Sequence, residues 1–140
     1  MQCLRNIGHW NLVKILTCCS SVDYNNNDFK ALVYKFMENE NLDKWLHQDI
    51  DNENRLRHLN LLQRLNIVID VAFALQYLHD YCERPIIHCD LKPSNVLLDN
   101  DMVAKVSDFA LILCTTKDVS QSQTTTAGIK GTIGYVAPRT

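Results

Sequence analysis

The strongest hydrophobic pattern in the chain lies in residues 60–81. Apolar side chains recur there at steps of four and three, which is the spacing of one face of an α-helix. This stripe consists of Leu61, Leu65, Val68, Ala72 and Leu75, and it is widened by Leu62, Ile69 and Leu78. Asn60 and Gln63 have the spacing of an N-terminal capping box, and Pro85 disfavours helix at the residue before it. The pattern predicts a helix over 60–81 that is largely buried.

Shorter apolar runs predict two hairpins. Residues 11–16 and 30–37 have the composition of strands, and the segment between them, 17–29, is rich in Asn, Asp and Ser and is expected to form an exposed turn. Residues 95–98 and 102–106 flank the turn-forming sequence LDND. They are expected to pair as a second, shorter hairpin.

Two further segments complete the order of elements. Asn41 can cap a short helix over 41–47, in which Leu42, Trp45 and Leu46 share one face. The Ser/Thr-rich stretch 115–128 has the composition of a mobile loop. The predicted order is therefore strand, strand, helix, helix, then short hairpins and a loop.

Composition narrows the class of protein. The 140 residues are 46% hydrophobic and 21% charged with a net charge of −2, which is typical of a soluble domain and gives no reason to expect nucleic acid or an anionic membrane as a partner. None of the six cysteines forms a CxxC pair or another metal-ligand spacing. The N-terminus lacks the apolar core of a signal peptide, and no apolar run approaches the roughly 18 residues of a membrane span. The chain is expected to contain no membrane span and to be cytoplasmic.

Four polar residues indicate phosphoryl transfer. Asp90, Lys92 and Asn95 follow one another closely after an apolar run, and Asp108 comes directly after the run ending VAKVS. One carboxylate can orient or deprotonate a hydroxyl, and a cation can neutralise the transferred phosphoryl group. An amide oxygen and a second carboxylate are the hard donors that Mg²⁺ prefers. The competing interpretation of Asp90 and Asn95, as turn residues with local hydrogen bonds, does not account for the joint spacing.

These residues lie in sequences that resemble the protein kinases. HCDLKPSN matches the catalytic loop H-x-D-L-x-x-x-N, DFA stands where D-F-G belongs, and GTIGYVAP resembles the end of an activation segment. Three earlier segments also resemble parts of the kinase fold. The end of the small-lobe helix, the next two strands with the hinge, and the first large-lobe helix are matched in order by RNIGHWNLVKIL, KALVYKFM and NLDKWLH. Over nearly the whole chain the sequence is similar to those of the plant leucine-rich-repeat receptor-like Ser/Thr kinases. The resemblance implies a partial α+β, protein-kinase-like fold, with a small-lobe remnant and hinge in 1–37 and a large-lobe portion in 38–140.

The resemblance also implies roles for individual residues. Asp90 matches the catalytic base and Lys92 the contact to the transferred phosphate, while Asn95 and Asp108 match the Mg²⁺ ligands. The remaining matches are Tyr34 at the gatekeeper position, Met37 at the hinge, Leu97 at the floor of the adenine pocket, Thr132 in the activation segment, and His88 and Phe109 in the regulatory spine. ATP and Mg²⁺ are the implied cofactors, and a protein substrate or a partner kinase is the implied partner. By the same resemblance the family is anchored in a membrane, with its kinase portion on the cytoplasmic side of the plasma membrane.

Three positions depart from the family pattern. Cys89 replaces the arginine of H-R-D, as in the non-Arg kinases whose activity is not gated by that cation. Ala110 replaces the glycine of D-F-G, where a positive φ would cost alanine roughly 1 kcal/mol or more. Arg139 replaces the glutamate of A-P-E.

The sequence also lacks the glycine-rich phosphate loop and the nucleotide-binding lysine and small-lobe glutamate of the family. We therefore expect this chain alone to transfer phosphate very poorly or not at all, since positioning of the γ-phosphate is most of what a kinase contributes. The helices that would cover helix 60–81 are absent as well, so its stripe must pack poorly or against something else. Two alternatives are a non-catalytic, pseudokinase-like interaction module and a relic without function.

Overall fold

The computed structural model describes residues 7–22, 27–47, 58–83, 85–109 and 131–135. These residues form four strands and two α-helices, with a π-helix and one turn of 3₁₀-helix. The predicted loop at 115–128, together with Ala110 and Arg139, lies outside the described residues. The strands and helices follow one another in the predicted order, strand, strand, helix, helix and then a hairpin, and the strands form two small sheets.

The first hairpin lies closer to its turn than its apolar runs indicated, because residues 11–14 and 35–37 of the predicted strands lie outside the observed ones. Strand β1 (Ile15–Val22) pairs antiparallel with β2 (Asp28–Tyr34), with Ile15 opposite Tyr34 and Val22 opposite Asp28. The expected turn at 17–29 was therefore wrong in its extent. Its polar residues carry no strand signal of their own, yet their backbone groups pair with those of β2 and extend the ladder.

The second hairpin is short and buried. Strand β3 (Val96–Leu98) pairs antiparallel with β4 (Ala104–Val106), and this confirms the hairpin predicted around the LDND turn. Asp99 closes the turn, because its Oδ1 accepts hydrogen bonds from the Asp101 and Val103 N–H groups at 3.1 and 3.0 Å.

Both outer edges of the second hairpin are occupied. On the β3 side, the Asn39 N–H donates to the Leu98 carbonyl at 3.1 Å, and the Leu98 N–H donates to the Glu40 carbonyl at 2.8 Å. On the β4 side, the segment 11–13 runs parallel to the strand: the Val13 N–H donates to Val106 O at 3.0 Å, and the Val106 N–H donates to Asn11 O at 2.8 Å. The hairpin is thus the centre of a four-segment arrangement.

The short helix α1 (Leu42–Leu46) follows directly from the segment 39–41. The Asn41 side chain accepts a hydrogen bond from the Lys44 N–H at 3.0 Å, which confirms the predicted cap. The Trp45 indole N–H donates to the Asn39 carbonyl at 2.9 Å. Leu42 and Trp45 pack on the core of the second hairpin, so α1 fixes the segment before it.

The long helix α2 (Leu61–Gln76) begins at the predicted capping box. The Gln63 N–H donates to Asn60 Oδ1 at 2.9 Å, and the Asn60 N–H donates to Gln63 Oε1 at 3.0 Å. A π-helix, Tyr77–Tyr81, continues α2 to the end of the predicted range. The existence and the N-terminus of the predicted helix are confirmed.

The prediction that this helix is largely buried was wrong, whereas the expectation that its stripe packs poorly within this chain is confirmed for most of the stripe. Leu61, Leu65 and Val68 of the stripe are 80, 52 and 64% exposed. The helix packs through a face that contains Ile67 and Ala74, together with Leu78, the one residue of the predicted stripe that is fully buried. Because α2 is apolar on more than one side, periodicity identified a stripe that is mostly not the one in contact with the described core.

Two clusters of buried side chains connect α2 to the hairpin. One consists of Leu12, Ala74, Leu78, Ile86, Val106 and Phe109. The other consists of Leu59, Ile67, Val96, Leu98 and Ala104. Each cluster combines residues of α2 or its extension with residues of the second hairpin, so the helix supports the strands that carry the polar residues.

Over Leu61–Tyr81 the helix is long and apolar enough to cross a membrane by length and composition alone. Its polar residues interrupt the apolar runs, which is why no uninterrupted run of the sequence indicated a span. This is weak evidence for a span, since a core helix meets the same criterion, and here the Asp70 carboxylate accepts a hydrogen bond from the Ala104 N–H at 2.9 Å. That bond ties the helix to the second hairpin.

Candidate active site

The loop between the π-helix and β3 is anchored at its start. The Ile86 N–H donates to the Leu78 carbonyl at 2.9 Å, and Ile86 itself is buried. Cys89 has a φ of 61°, a left-handed conformation that is uncommon outside glycine, asparagine and aspartate. This sharp change in backbone direction lies directly before Asp90.

His88 holds the loop from inside. It is 3% exposed, its Nδ1 accepts the Asp90 N–H at 3.3 Å, and its Nε2 lies 2.7 Å from the Ser107 carbonyl. A ring that accepts a hydrogen bond at Nδ1 can donate one from Nε2 to the facing carbonyl. His88 therefore connects the loop of Asp90 to the residue before Asp108.

The Asp90 carboxylate is at the centre of a network of side chains. Its Oδ1 accepts a hydrogen bond from the Thr132 hydroxyl at 2.6 Å, and its Oδ2 lies 2.9 Å from Lys92 Nζ. The Lys92 ammonium also donates to Thr132 Oγ1 at 2.7 Å. Three side chains, two of them 42 positions apart in the chain, thus form a closed triangle.

Thr132 is held in a turn of its own. The Tyr135 N–H donates to the Thr132 carbonyl at 3.0 Å, and Gly134 has a φ of 94°, which residues with a side chain rarely adopt. The turn presents the Thr132 hydroxyl to Asp90 and Lys92.

The network lowers the pKa of Asp90 below its ordinary value. The hydrogen bond from Thr132 is the largest cause, followed by the hydrogen bond from Lys92, while partial desolvation acts in the opposite direction. The Asp90 side chain is 36% exposed, so a solute can reach the carboxylate. At neutral pH the group is ionised and can accept a further hydrogen bond.

Asn95 lies on the inner side of the same loop. Its Nδ2 donates to the Asp90 carbonyl at 2.8 Å and to Asp90 Oδ2 at 3.3 Å, and its backbone N–H closes the 3₁₀ turn (Pro93–Asn95) by donating to Lys92 O at 2.9 Å. Both side-chain hydrogen bonds that the described residues give Asn95 are donated by Nδ2. The amide oxygen is therefore directed away from Asp90.

Asp108 and Phe109 follow β4. Asp108 has a φ of 60° and a partly exposed side chain, while Phe109 is 1% exposed in the core cluster that includes Leu78 and Ile86. The left-handed turn at Asp108 lets the chain bury Phe109 while the carboxylate before it stays accessible. Asp108 thus has the exposure that an ion ligand needs.

Asn95 and Asp108 could bind a Mg²⁺ ion only together with ligands from outside the protein. Within the described residues no group of three or more His, Cys, Asp or Glu side chains could hold a metal. Asn95 and Asp108 offer one amide oxygen and one carboxylate. Mg²⁺ is commonly bound through one or two protein ligands together with water and substrate phosphates. The residues therefore suit an ion that arrives with a nucleotide rather than a structural metal.

The three residues expected near adenine lie around the second hairpin and the end of the first. Met37 is 5% exposed, Tyr34 ends β2, and Leu97 pairs with Lys105 in β4 and bridges to Asn41. The hydrogen bonds of Asn39 and Glu40 to Leu98 bring the segment 37–41 alongside β3.

Sequence reasoning missed the residues that hold this arrangement together. No catalytic motif contains Asn39, Asp99, Lys105 or Ser107. The side chains of Asn39, Lys105 and Ser107 bond to separate segments, and that of Asp99 bonds within the second hairpin. Lys105 gave the one available signal, because a charge in the short apolar run VAKV must find a partner if the strand is buried. Its Nζ lies 3.2 Å from Asp99 Oδ2 and donates to Trp10 O at 2.9 Å.

Comparison with known proteins agrees with these motifs. The family model "Protein tyrosine and serine/threonine kinase" matches residues 1–140. A receptor-like protein kinase of Arabidopsis thaliana is 56% identical over 98% of this chain and 14% of its own length. The receptor kinase-like protein Xa21 of Oryza sativa subsp. japonica is 52% identical over 98% of the chain and 13% of its own length. The LRR receptor-like serine/threonine-protein kinase EFR of Arabidopsis thaliana is 50% identical over 98% and 14%.

The chain spans about one seventh of the length of these relatives. The resemblance expected from the catalytic loop and the activation segment is confirmed, as is the partial α+β fold. The 140 residues are a serine/threonine kinase-type domain portion, similar to those of plant receptor-like kinases. The chain belongs to the protein tyrosine and serine/threonine kinase family.

Proposed function

We propose that the network around Asp90 is the part of a protein Ser/Thr kinase site that binds the hydroxyl of the protein substrate. The observation that carries the proposal is the triangle of Asp90, Lys92 and Thr132, with separations of 2.6, 2.7 and 2.9 Å. An ionised, partly exposed carboxylate beside a cation is what the transfer of a phosphoryl group to a hydroxyl requires.

In this reaction Asp90 orients the hydroxyl of a protein Ser or Thr and accepts its proton. The hydroxyl oxygen forms a bond to the γ-phosphorus of ATP, and the bond from that phosphorus to the ADP oxygen breaks. A carboxylate has about four lone-pair sites, of which Thr132, Lys92 and Asn95 use three. One site is left for the substrate hydroxyl.

Lys92 contacts the transferred phosphate, and its bond to Thr132 holds the ammonium on the side of the carboxylate. Asn95 and Asp108 would hold a Mg²⁺ ion, which would neutralise phosphate charge. His88 and Phe109 keep the two loops in place from the core side. Thr132 positions Asp90 and Lys92 relative to each other.

The nucleotide is proposed to lie along the segment 37–41 and β3. Met37 offers its backbone to adenine, Leu97 lines the floor, and Tyr34 limits the depth of the pocket. This assignment rests on the placement of the segment against β3. We place the division between the small-lobe portion, 1–37, and the large-lobe portion, 38–140, directly after Met37.

The names of the relatives extend the proposal to the whole protein. One is a leucine-rich-repeat (LRR) receptor-like serine/threonine-protein kinase and another a receptor kinase-like protein. We infer that the natural substrate is a protein, with a partner kinase as a further candidate. We also infer that the kinase portion works on the cytoplasmic side of the plasma membrane.

A thermal melt of the 140-residue chain tests nucleotide binding. A ligand at ten times its Kd raises the free energy of unfolding by about 1.4 kcal/mol, so Mg²⁺-ATP should raise the midpoint. Asp108→Asn should remove the part of this rise that depends on Mg²⁺. Asp101→Asn is the matched control, since Asp101 is an exposed aspartate in the hairpin turn. A wild-type midpoint that Mg²⁺-ATP leaves unchanged would contradict the proposal and favour an interaction module.

Transfer itself is tested with γ-labelled ATP and a serine peptide, with the same peptide carrying alanine as the blank. Where the wild-type chain transfers label, Asp90→Asn should lower the rate by about 10²-fold or more, because a positioned base contributes about that factor. The same variant should keep the melting shift with Mg²⁺-ATP. A rate that Asp90→Asn leaves intact would refute the role of Asp90.

A further inference from the structure

Ser107 connects the two loops that carry the proposed Mg²⁺ ligands. It lies between β4 and Asp108 and is 8% exposed. Its Oγ donates to the Asn95 carbonyl at 3.0 Å, and its backbone N–H donates to the same carbonyl at 2.9 Å. Its own carbonyl faces His88 Nε2 at 2.7 Å. All three polar groups of Ser107 are therefore engaged with the loop of Asp90.

The two hydrogen bonds that Ser107 donates to the Asn95 carbonyl have a geometric consequence. A carbonyl oxygen has two lone pairs, and the two donors of Ser107 fill both. The direction of the Asn95 carbonyl is thereby fixed, and with it the orientation of the Asn95 residue on the 3₁₀ turn. Asp108 is covalently attached to Ser107, so the position of one proposed ligand is set relative to that of the other.

The hydrogen bond from the Ser107 backbone N–H alone would leave the orientation of the Asn95 carbonyl less restricted. A single N–H donor tolerates a broad range of approach angles at an sp² oxygen, whereas two donors from one residue restrict it. The hydroxyl is the only one of these groups that the side chain supplies. We propose that Ser107 is a positioning residue, whose Oγ sets the separation of Asn95 and Asp108 and thereby the affinity of the site for Mg²⁺ delivered with a nucleotide. This inference rests on the proposed function, because it assumes that these two residues are the metal ligands.

The Mg²⁺ concentration that gives half of the melting shift at saturating ATP is the quantity to measure. The variants of the 140-residue chain are Ser107→Ala, which removes Oγ and keeps both backbone contacts, and Ser107→Thr, which retains a hydroxyl. Ser94→Ala is the matched control, because Ser94 is a partly exposed serine in the adjoining 3₁₀ turn. ATP with EDTA gives the metal-independent shift for each protein.

Loss of one neutral hydrogen bond corresponds to about a fivefold change. We expect Ser107→Ala to need about fivefold more Mg²⁺ for half of the shift, with an unchanged shift in EDTA. Ser107→Thr should restore the wild-type Mg²⁺ dependence, and Ser94→Ala should match the wild type.

Two failures are distinguishable. If Mg²⁺-ATP does not shift the wild-type midpoint, the proposed function is overturned and the metal-site role of Ser107 with it. If the wild type shifts and Ser107→Ala has the same Mg²⁺ midpoint, only the Ser107 proposal is overturned. A lower melting temperature of Ser107→Ala with that same Mg²⁺ midpoint would assign Ser107 a structural role and overturn positioning.

Discussion

Replacement of Asp99 by alanine should destabilise the chain more than any other single change in the β3–β4 turn. Asp99 Oδ1 accepts the N–H groups of Asp101 and Val103 at 3.1 and 3.0 Å, and Oδ2 pairs with Lys105 Nζ at 3.2 Å. The side chains of the pair are only 15 and 11% exposed, for Asp99 and Lys105 respectively. Asp99→Ala would leave two backbone donors and one poorly solvated cation without this acceptor.

The size of the loss follows from these contacts. Hydrogen bonds to a charged group contribute about 1.5–3 kcal/mol each, and removal of one partner of a buried ion pair costs about 3–5 kcal/mol. The contributions overlap, and Lys105 keeps its bond to Trp10 O at 2.9 Å and its position 4.9 Å from the Trp10 ring. We expect Asp99→Ala to lower the free energy of unfolding by about 3 kcal/mol.

Urea unfolding followed by circular dichroism measures this difference. Asp101→Ala is the control, since Asp101 is exposed in the same turn and should change the stability by less than about 0.5 kcal/mol. Equal midpoints for Asp99→Ala and Asp101→Ala would refute the reasoning.

The same residue predicts a dependence on pH. Burial raises the pKa of Asp99, but hydrogen bonds from Val103 and Lys105 outweigh it and bring the pKa below its ordinary value of 3.8. A carboxyl whose pKa is lower in the folded than in the unfolded state stabilises the fold above the unfolded value. The advantage of the wild type over Asp99→Asn should therefore persist at neutral pH and disappear as the pH falls below about 3.8. An advantage that stays constant through this range would contradict the assignment.

Three further changes test other parts of the structure. Thr132→Val removes the largest cause of the lowered pKa of Asp90, so an NMR titration should show that pKa rising toward its ordinary value; an unchanged pKa would exclude the bond. Asn60→Ala should cost about 1 kcal/mol in urea unfolding through loss of the α2 cap, whereas Asn60→Ser should cost little. Leu78→Ala, in the core, should cost about 3 kcal/mol, and Leu65→Ala, at an exposed position, less than about 0.5 kcal/mol; similar costs would show that α2 packs through a different face.

The sequence predicted the features that depend on neighbours along the chain. The capping box of α2 and the cap of α1 follow from residues three positions apart, and the second hairpin follows from two apolar runs around a turn. The resemblance to two kinase motifs selected Asp90, Lys92 and Thr132 as site residues, although they belong to segments that are distant in the chain, and the structure joins them in the triangle.

Features that depend on distant segments were not predicted. The apolar stripe of α2 was identified correctly as a stripe, but a period of 3.6 residues does not tell which apolar side meets the core. Nothing local distinguishes Ser107 from any other serine near a strand end, since its bonds go to Asn95 and His88. The extension of β1 through Thr17–Val22 likewise depends on pairing with β2 rather than on the propensity of its own residues.

The occupied edges of the β3–β4 hairpin also affect how the chain can associate with copies of itself. Exposed strand edges are templates for pairing with another molecule, and here 39–41 and 11–13 already use those of β3 and β4. Of the two hairpins in the described residues, β1–β2 is the one whose strands pair only with each other, and it carries exposed Val22 and Phe29. Intermolecular strand addition should therefore begin at β1–β2, and amides of that hairpin should gain protection from hydrogen exchange in aggregates while those of β3 and β4 keep their native partners.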